Sequence, residues 1–178
     1  MLEIRIHGGG GQGAQVACKI LADAFLRSGS RAQALPACGG ERQGAPVTAS
    51  IRVDDRPIPL RCDIARPHHA LILDPTLLAD VGAACVEEGG TVVVNSPSSP
   101  CGWMPLAARV VAVDATAIAR RAGLGPIVAT AVIGAFAGVT GLVSLDDLVA
   151  AVEHGSPLKK QEHVAACTAA YLEAANGG

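Results

Sequence analysis

Six consecutive residues near the start of the chain, Gly8, Gly9, Gly10, Gly11, Gln12 and Gly13, contain five glycines. A loop without side chains lets a ligand reach the backbone. Free N–H groups ahead of a helix, together with the helix dipole, then favour negative charge. Gly8, Gly10 and Gly13 also fit the G-x-G-x-x-G spacing of dinucleotide sites. The chemistry expected is binding of phosphate or pyrophosphate; the plainer alternative is a flexible turn before a core helix. Five glycines cost backbone entropy that a plain turn does not require. A second loop, Cys38-Gly-Gly-Glu-Arg-Gln-Gly44, adds a charged pair, Glu41 and Arg42. Arg42 is suited to one more phosphate, and a solvated turn is the alternative. His7 stands at the mouth of the first loop, as a phosphate contact or as a structural residue.

Other chemistry is poorly served. There is no G-x-S-x-G elbow for a nucleophilic serine. His68-His69 has no spaced partner for a metal and reads as surface. Asp54-Asp55 and Asp146-Asp147 read as a turn and a helix start. Cys18, Cys38, Cys62, Cys85, Cys101 and Cys167 form no C-x-x-C pair and lack a nearby His at zinc spacing. They read as reduced cytosolic thiols, and an iron–sulfur cluster is not expected on this chain. The 14 basic and 16 acidic residues leave a net charge of −2, so no basic face for nucleic acid is expected.

The elements that must position these residues follow from periodicity. Leu2, Ile4 and Ile6 alternate with Glu3, Arg5 and His7, a strand pattern. Ala14 to Leu26 reads as a helix, with Val16, Ile20 and Ala24 on one side and Ala17, Leu21 and Phe25 beside it. Arg31 to Leu35 is a second strand. Val47 to Val53 alternates, Asp54-Asp55-Arg56 is turn chemistry, and Pro57 to Arg61 returns as an extended limb. The expectation is a β-hairpin insertion near residues 47–61, held at a sheet edge by its prolines. Apolar runs at Ala70–Leu73 and Thr91–Val94 read as buried parallel strands, and Arg109–Val113 as a further one. Helices are expected at Leu77–Glu88, Thr116–Ala122 and Leu158–Ala174. Ser144 is expected to cap another, with acids in its first turn.

Between Arg121 and Asp146 the chain carries no charge, and it contains Gly134-x-x-x-Gly138. Its Ala, Gly, Thr and Val content argues against a membrane span. The expectation is a helix buried all round, its glycines allowing tight packing and one face meeting another subunit. Alternating strands and helices over 178 residues predict one domain. Its fold class is α/β, a mainly parallel, Rossmann-like sheet with helices on both faces. Ligands then sit beyond the carboxyl ends of the strands. The glycine loop, Asp74-Pro75-Thr76, Asn95-Ser96 and Asp114 all fall there.

An NAD site is weakened by one defect. It wants an acid at the end of the second strand to hold ribose hydroxyls. That strand ends here at Leu35-Pro36, and the next acid is Glu41.

Together these residues resemble the gamma subunit of the 2-oxoacid:acceptor oxidoreductases, the pyruvate and ketoisovalerate ferredoxin oxidoreductase group. The matching pieces include Glu3-Ile-Arg-Ile-His-Gly8, Gly10-Gly-Gln-Gly-Ala14, Glu41-Arg42 with Gly44-Ala-Pro-Val47, Asp74-Pro-Thr-Leu-Leu78, Val94-Asn95, Val113-Asp114-Ala115-Thr116, and Gly134-Ala-Phe-Ala137 with Thr140-Gly-Leu-Val143. They span nearly the whole chain. The resemblance implies a complex that decarboxylates a 2-oxo acid on thiamine diphosphate and passes electrons through iron–sulfur clusters to ferredoxin or another acceptor. In most members the acyl group is captured on coenzyme A.

Thiamine diphosphate, Mg2+ and [4Fe-4S] clusters then belong to alpha, beta and delta-type partner subunits, and coenzyme A to this chain. The resemblance places Gly8 to Gly13 on the pyrophosphate, Glu41 and Arg42 on the ligand side with Arg42 on a phosphate, and Asn95 at the adenosine end. No residue of this chain is expected to be catalytic. Many relatives carry Arg where this chain has Gly9, a basic residue at Gln43, and Asn at Ala129. The other classes left open are an NAD- or nucleotide-binding subunit of a related oxidoreductase, and a purely structural subunit.

Overall fold

The computed structural model describes residues 1–35, 46–78, 86–98 and 108–177. Six strands form one sheet: β1 (Leu2–Gly9), β2 (Arg31–Leu35), β3 (Pro46–Asp54), β4 (His69–Ile72), β5 (Thr91–Asn95) and β6 (Arg109–Val113). Their order across the sheet is β2-β3-β1-β4-β5-β6. β1, β4, β5 and β6 run parallel to their neighbours, while β3 runs antiparallel to both β1 and β2. Five helices follow: α1 (Ala14–Arg27), α2 (Ala115–Arg121), α3 (Ala129–Thr140), α4 (Leu145–Gly155) and α5 (Lys160–Asn176).

The α/β class and the largely parallel sheet are as the patterning predicts. The alternation of β1 buries Ile4 and Ile6 completely, on the face that receives Ile20, Leu21 and Phe25 of α1. Val16, expected on that buried side, is 40% exposed. Packing instead takes the stripe through Ala17, Cys18, Leu21 and Phe25. All five described helices contribute to the same core cluster, on one face of the sheet. The opposite face of β4 and β5 buries Ala70, Ile72, Val92 and Val94 beneath Leu78 and Val86. The helix expected over Leu77–Glu88 falls largely on 79–85, outside the described residues.

The expected hairpin over 47–61 is not formed. β3 is there, but it lies between β2 and β1 rather than at an edge. Both its flanks are hydrogen-bonded, so no edge is left for a returning limb, and residues 57–61 form no strand. Arg52, on the side of β3 that alternation leaves polar, explains where that segment goes. Its side chain is 1% exposed, its Nε donates to Glu3 Oε1 at 2.8 Å, and its Nη2 donates to the Cys62 carbonyl at 2.7 Å. A buried guanidinium requires such partners, and the extended segment supplies one of them from its backbone.

α3 is buried from Ala129 through Ala137. Its enclosure is complete within one chain, against the sheet, α1, α4 and α5, so no second subunit is needed to cover it. No described helix is long and apolar enough to cross a membrane. Gly134 and Gly138 face α5, where an added Cβ would collide with the backbone carbonyls of Cys167 and Tyr171 respectively. One polar pair crosses the same interface, Thr130 Oγ1 and His163 Nδ1 at 3.0 Å. Burial holds the His163 pKa below its ordinary value.

Gly134→Ala is expected to lose stability despite alanine's better helix propensity. The helices must separate, at a cost of roughly 1–3 kcal/mol for an overpacked core, against about 1 kcal/mol gained in propensity. Urea denaturation of the full chain measures this, and an unchanged or raised midpoint would refute the close crossing.

Candidate functional site

The site is built at the carboxyl ends of the parallel strands. β1 is central: the chain leaves it on one side for β2 and later returns on the other side as β4. Such a reversal opens a crevice at the strand ends, and the glycine loop occupies it. Leu73 N–H donates to the His7 carbonyl at 2.8 Å, carrying the β1–β4 pairing up to the loop. Gly8 is pressed against Leu73, where an added Cβ would come within 3.1 Å of that side chain.

Gln12 gives the loop its shape. Its Oε1 accepts from Gly9 N–H at 2.7 Å, and its own N–H donates to the Gly9 carbonyl at 3.1 Å. Its Nε2 donates to Asp74 Oδ2 at 3.1 Å. The other Asp74 oxygen accepts from the Thr76 N–H and hydroxyl. The Thr76 hydroxyl is the main reason its pKa lies below the usual value, with the Thr76 N–H and Gln12 adding to it. Asp74 is thus a fully engaged carboxylate, and Gln12 stands between its charge and the glycine amides.

Gly11 and Gly13 adopt left-handed conformations, with φ of 94° and 91°. A side chain at either is strained. Beside Gly11 there is open space, whereas a Cβ on Gly13 would lie 3.1 Å from the Ala129 Cβ. That contact brings two helix starts together. α1 begins after Gly13 and α3 after Val128, and neither has a side-chain cap. Their first-turn amides are the groups a cap would otherwise satisfy. The amides of Gly11, Gly13 and Ala14 have no partner among the described residues.

Below the loop lies a cavity of about 430 Å³. Gln12, Asn95, Thr116 and Arg120 give it a polar wall, and Pro126 and Val128 an apolar one; no acid lines it. Asn95 is buried and fully bonded within the chain. Its Nδ2 donates to the Leu73 carbonyl at 3.0 Å and to Thr116 Oγ1 at 3.1 Å, and its Oδ1 accepts from the Thr116 N–H at 3.2 Å. Asn95 therefore ties the ends of β4 and β5 to the start of α2 and fixes Thr116 on the wall.

His7 does not present a positive charge. It is half-buried, its Nδ1 lies 3.5 Å from Thr48 Oγ1, and burial, with Arg5 nearby, pushes its pKa down to about 4. His69, expected at the surface, opens β4 and packs against the Phe136 ring at 5.5 Å between centroids. Its pKa is likewise lowered to about 4, mainly by burial. No group of three or more His, Cys, Asp or Glu side chains placed for a metal occurs among the described residues.

The structure thus brings the glycine loop and Asn95 to one crevice; Glu41 and Arg42 lie outside the described residues. Sequence reading missed Thr116, Arg120 and the Gly13–Ala129 contact. The i, i+4 spacing of Thr116 and Arg120 on a helix leaving a carboxyl strand end was a usable signal. The meeting of two helix starts across the chain had none.

The cradle fits a phosphate-bearing ligand: glycines where side chains would intrude, uncapped amides, and a cavity with a cation and no acid. Comparison with known proteins agrees. Residues 3–176 match the family model for pyruvate ferredoxin/flavodoxin oxidoreductase. The chain is 44% identical over 153 residues to pyruvate synthase subunit PorC of Methanocaldococcus jannaschii, covering 85% of this chain and 84% of that protein. It is 43% identical over 158 residues to the pyruvate/ketoisovalerate oxidoreductases common subunit gamma of Thermococcus kodakarensis, covering 86% and 85%. The crystal structure of pyruvate oxidoreductase subunit PORC from Thermotoga maritima superposes with a TM-score of 0.82 at 31% identity, over 96% of this chain and 95% of that one.

Two outcomes follow from this geometry. Asn95→Ala strands the Leu73 carbonyl and the Thr116 N–H, and should cost about 1–3 kcal/mol in urea denaturation; a loss below a few tenths would contradict the bonding described. His7 and His69 both have folded pKa values near 4, below their ordinary 6.5. The unfolded chain then binds more protons between those values, so stability is full above pH 6.5 and falls as pH drops toward 4. Denaturation midpoints across that window test this: His7→Gln should flatten the slope, and a profile already flat would refute the buried neutral state.

Proposed function

The chain belongs to the pyruvate ferredoxin/flavodoxin oxidoreductase family as a gamma subunit, and from that premise we propose that its task in the 2-oxoacid oxidoreductase is to hold and aim coenzyme A. In this reading alpha, beta and delta-type partners carry thiamine diphosphate with Mg2+, which supplies decarboxylation of the 2-oxo acid, and the [4Fe-4S] clusters that pass electrons to ferredoxin or another acceptor.

The observation that carries the reading is the meeting of two uncapped helix starts at a left-handed glycine loop, beside a cavity lined by a cation and no acid. Coenzyme A has a pyrophosphate and a third phosphate on its ribose, and that charge suits such a cradle better than a neutral ligand does. Gly8, Gly9, Gly10, Gly11 and Gly13 let the pyrophosphate approach the backbone, and Gln12 holds their turn closed. Arg42 neutralises a phosphate from the second loop, with Glu41 beside it. Asn95 serves the adenosine end by fixing Thr116. The chain contributes to the reaction by proximity, delivering a thiol to a neighbouring subunit.

Acyl-coenzyme A formation by the purified complex, with saturating 2-oxo acid, tests the assignment. Gly11→Ala places a methyl in the open space of the loop and strains its backbone by about 1–2 kcal/mol, and Arg42→Ala removes a charge. Each should raise the KM for coenzyme A about tenfold, as loss of one charge-assisted contact does. Unchanged coenzyme A affinity and turnover in Arg42→Ala would remove that residue from the site. A complex that turns over its 2-oxo acid with no dependence on coenzyme A would remove the reading altogether.

A further inference from the structure

The cavity under the glycine loop holds one full charge, Arg120. Its neighbour in sequence, Arg121, is paired with Glu173 at 3.2 Å. The Arg120 guanidinium has no ion pair and no hydrogen bond among the described residues. It stands four residues after Thr116 on α2, so both side chains lie on one helix face, the face lining the cavity. Thr116 is fixed there by Asn95. Carboxylates nearby are spent elsewhere: Asp74 on Thr76 and Gln12, and Asp114 on the Ala117 N–H as the cap of α2.

We propose that Arg120 binds the phosphomonoester on the ribose of coenzyme A, and so makes the site select coenzyme A over its dephosphorylated form. This rests on the coenzyme A reading above and refines it. The loop amides already supply donors for a pyrophosphate, and they lie on α1. Arg120 lies on α2, across the cavity wall that Asn95 and Thr116 build at the adenosine end. Pro126 and Val128 offer that end an apolar surface suited to a flat base. A phosphomonoester is close to dianionic at neutral pH, and a guanidinium meets two of its oxygens at once. A group read this way is rejected strongly when absent, because the cation is then left facing the ligand unpaired.

The test uses the purified complex and compares coenzyme A with dephospho-coenzyme A, by KM in the acyl-transfer assay and by calorimetric binding. The unsubstituted complex should prefer coenzyme A. Arg120→Gln should raise the KM and Kd for coenzyme A about tenfold, the scale of one charge-assisted hydrogen bond, and leave those for dephospho-coenzyme A in place. Arg120→Lys should recover part of the preference, and Arg121→Gln should not alter it. An unchanged preference in Arg120→Gln would overturn the proposal, as would equal weakening of both ligands, which would move Arg120 to the pyrophosphate. Failure of the unsubstituted complex to bind either ligand would instead overturn the coenzyme A reading on which the proposal stands.

Discussion

The arrangement depends on how deeply α3 can sink into the chain. Its residues Ala129 to Ala137 are all buried, and it reaches that depth because Gly134 and Gly138 let the α5 backbone come into direct contact. With two Phe, one Trp and one Tyr in the whole chain, large rings cannot fill the gaps that a looser crossing would leave. Close approach of backbones is the remaining way to reach interior packing density. The consequence is felt at the other end of the same helix. Because α3 lies so close to the sheet, its Ala129 abuts Gly13, and two helix starts open onto one crevice.

The second constraint is the reversal of β3. By inserting antiparallel between β2 and β1, it makes β1 central and puts the glycine loop at the point where the chain turns from one half of the sheet to the other. It also leaves Arg52 on a face with no helix above it among the described residues. Glu3 and the 57–66 segment neutralise and cover that guanidinium. The cost of burying a charge is met by backbone carbonyls that a hairpin would have spent on strand pairing.

Within the family the division of labour follows from what this chain has and lacks. Its ordered polar groups at the crevice are Gln12, Asn95, Thr116 and backbone amides, all suited to holding and orienting. Its histidines are held neutral by burial, at the loop mouth in His7 and under Phe136 in His69. A subunit so equipped lends geometry to a reaction whose bond-making groups reside on its partners.

The sequence by itself determined the local elements and the chemistry of the loop. Period-two alternation in Leu2–His7 and period-3.6 spacing in Ala14–Leu26 are strong because one face of each is buried. Five glycines before a helix announce bare backbone. The uncharged run around Gly134-x-x-x-Gly138 announced a buried helix, though not that one chain suffices to bury it. Tertiary structure decided the rest. Alternation in Val47–Val53 cannot say which strands flank it, so an edge hairpin and a central reversed strand look alike. Nor can Asn95, as a residue type, say whether its amide meets a ligand or, as here, joins three strand and helix ends. Contacts between residues far apart in the chain, such as Gly13 with Ala129, Arg52 with Cys62 and Asn95 with Thr116, depend on the sheet order. No local pattern encodes that order.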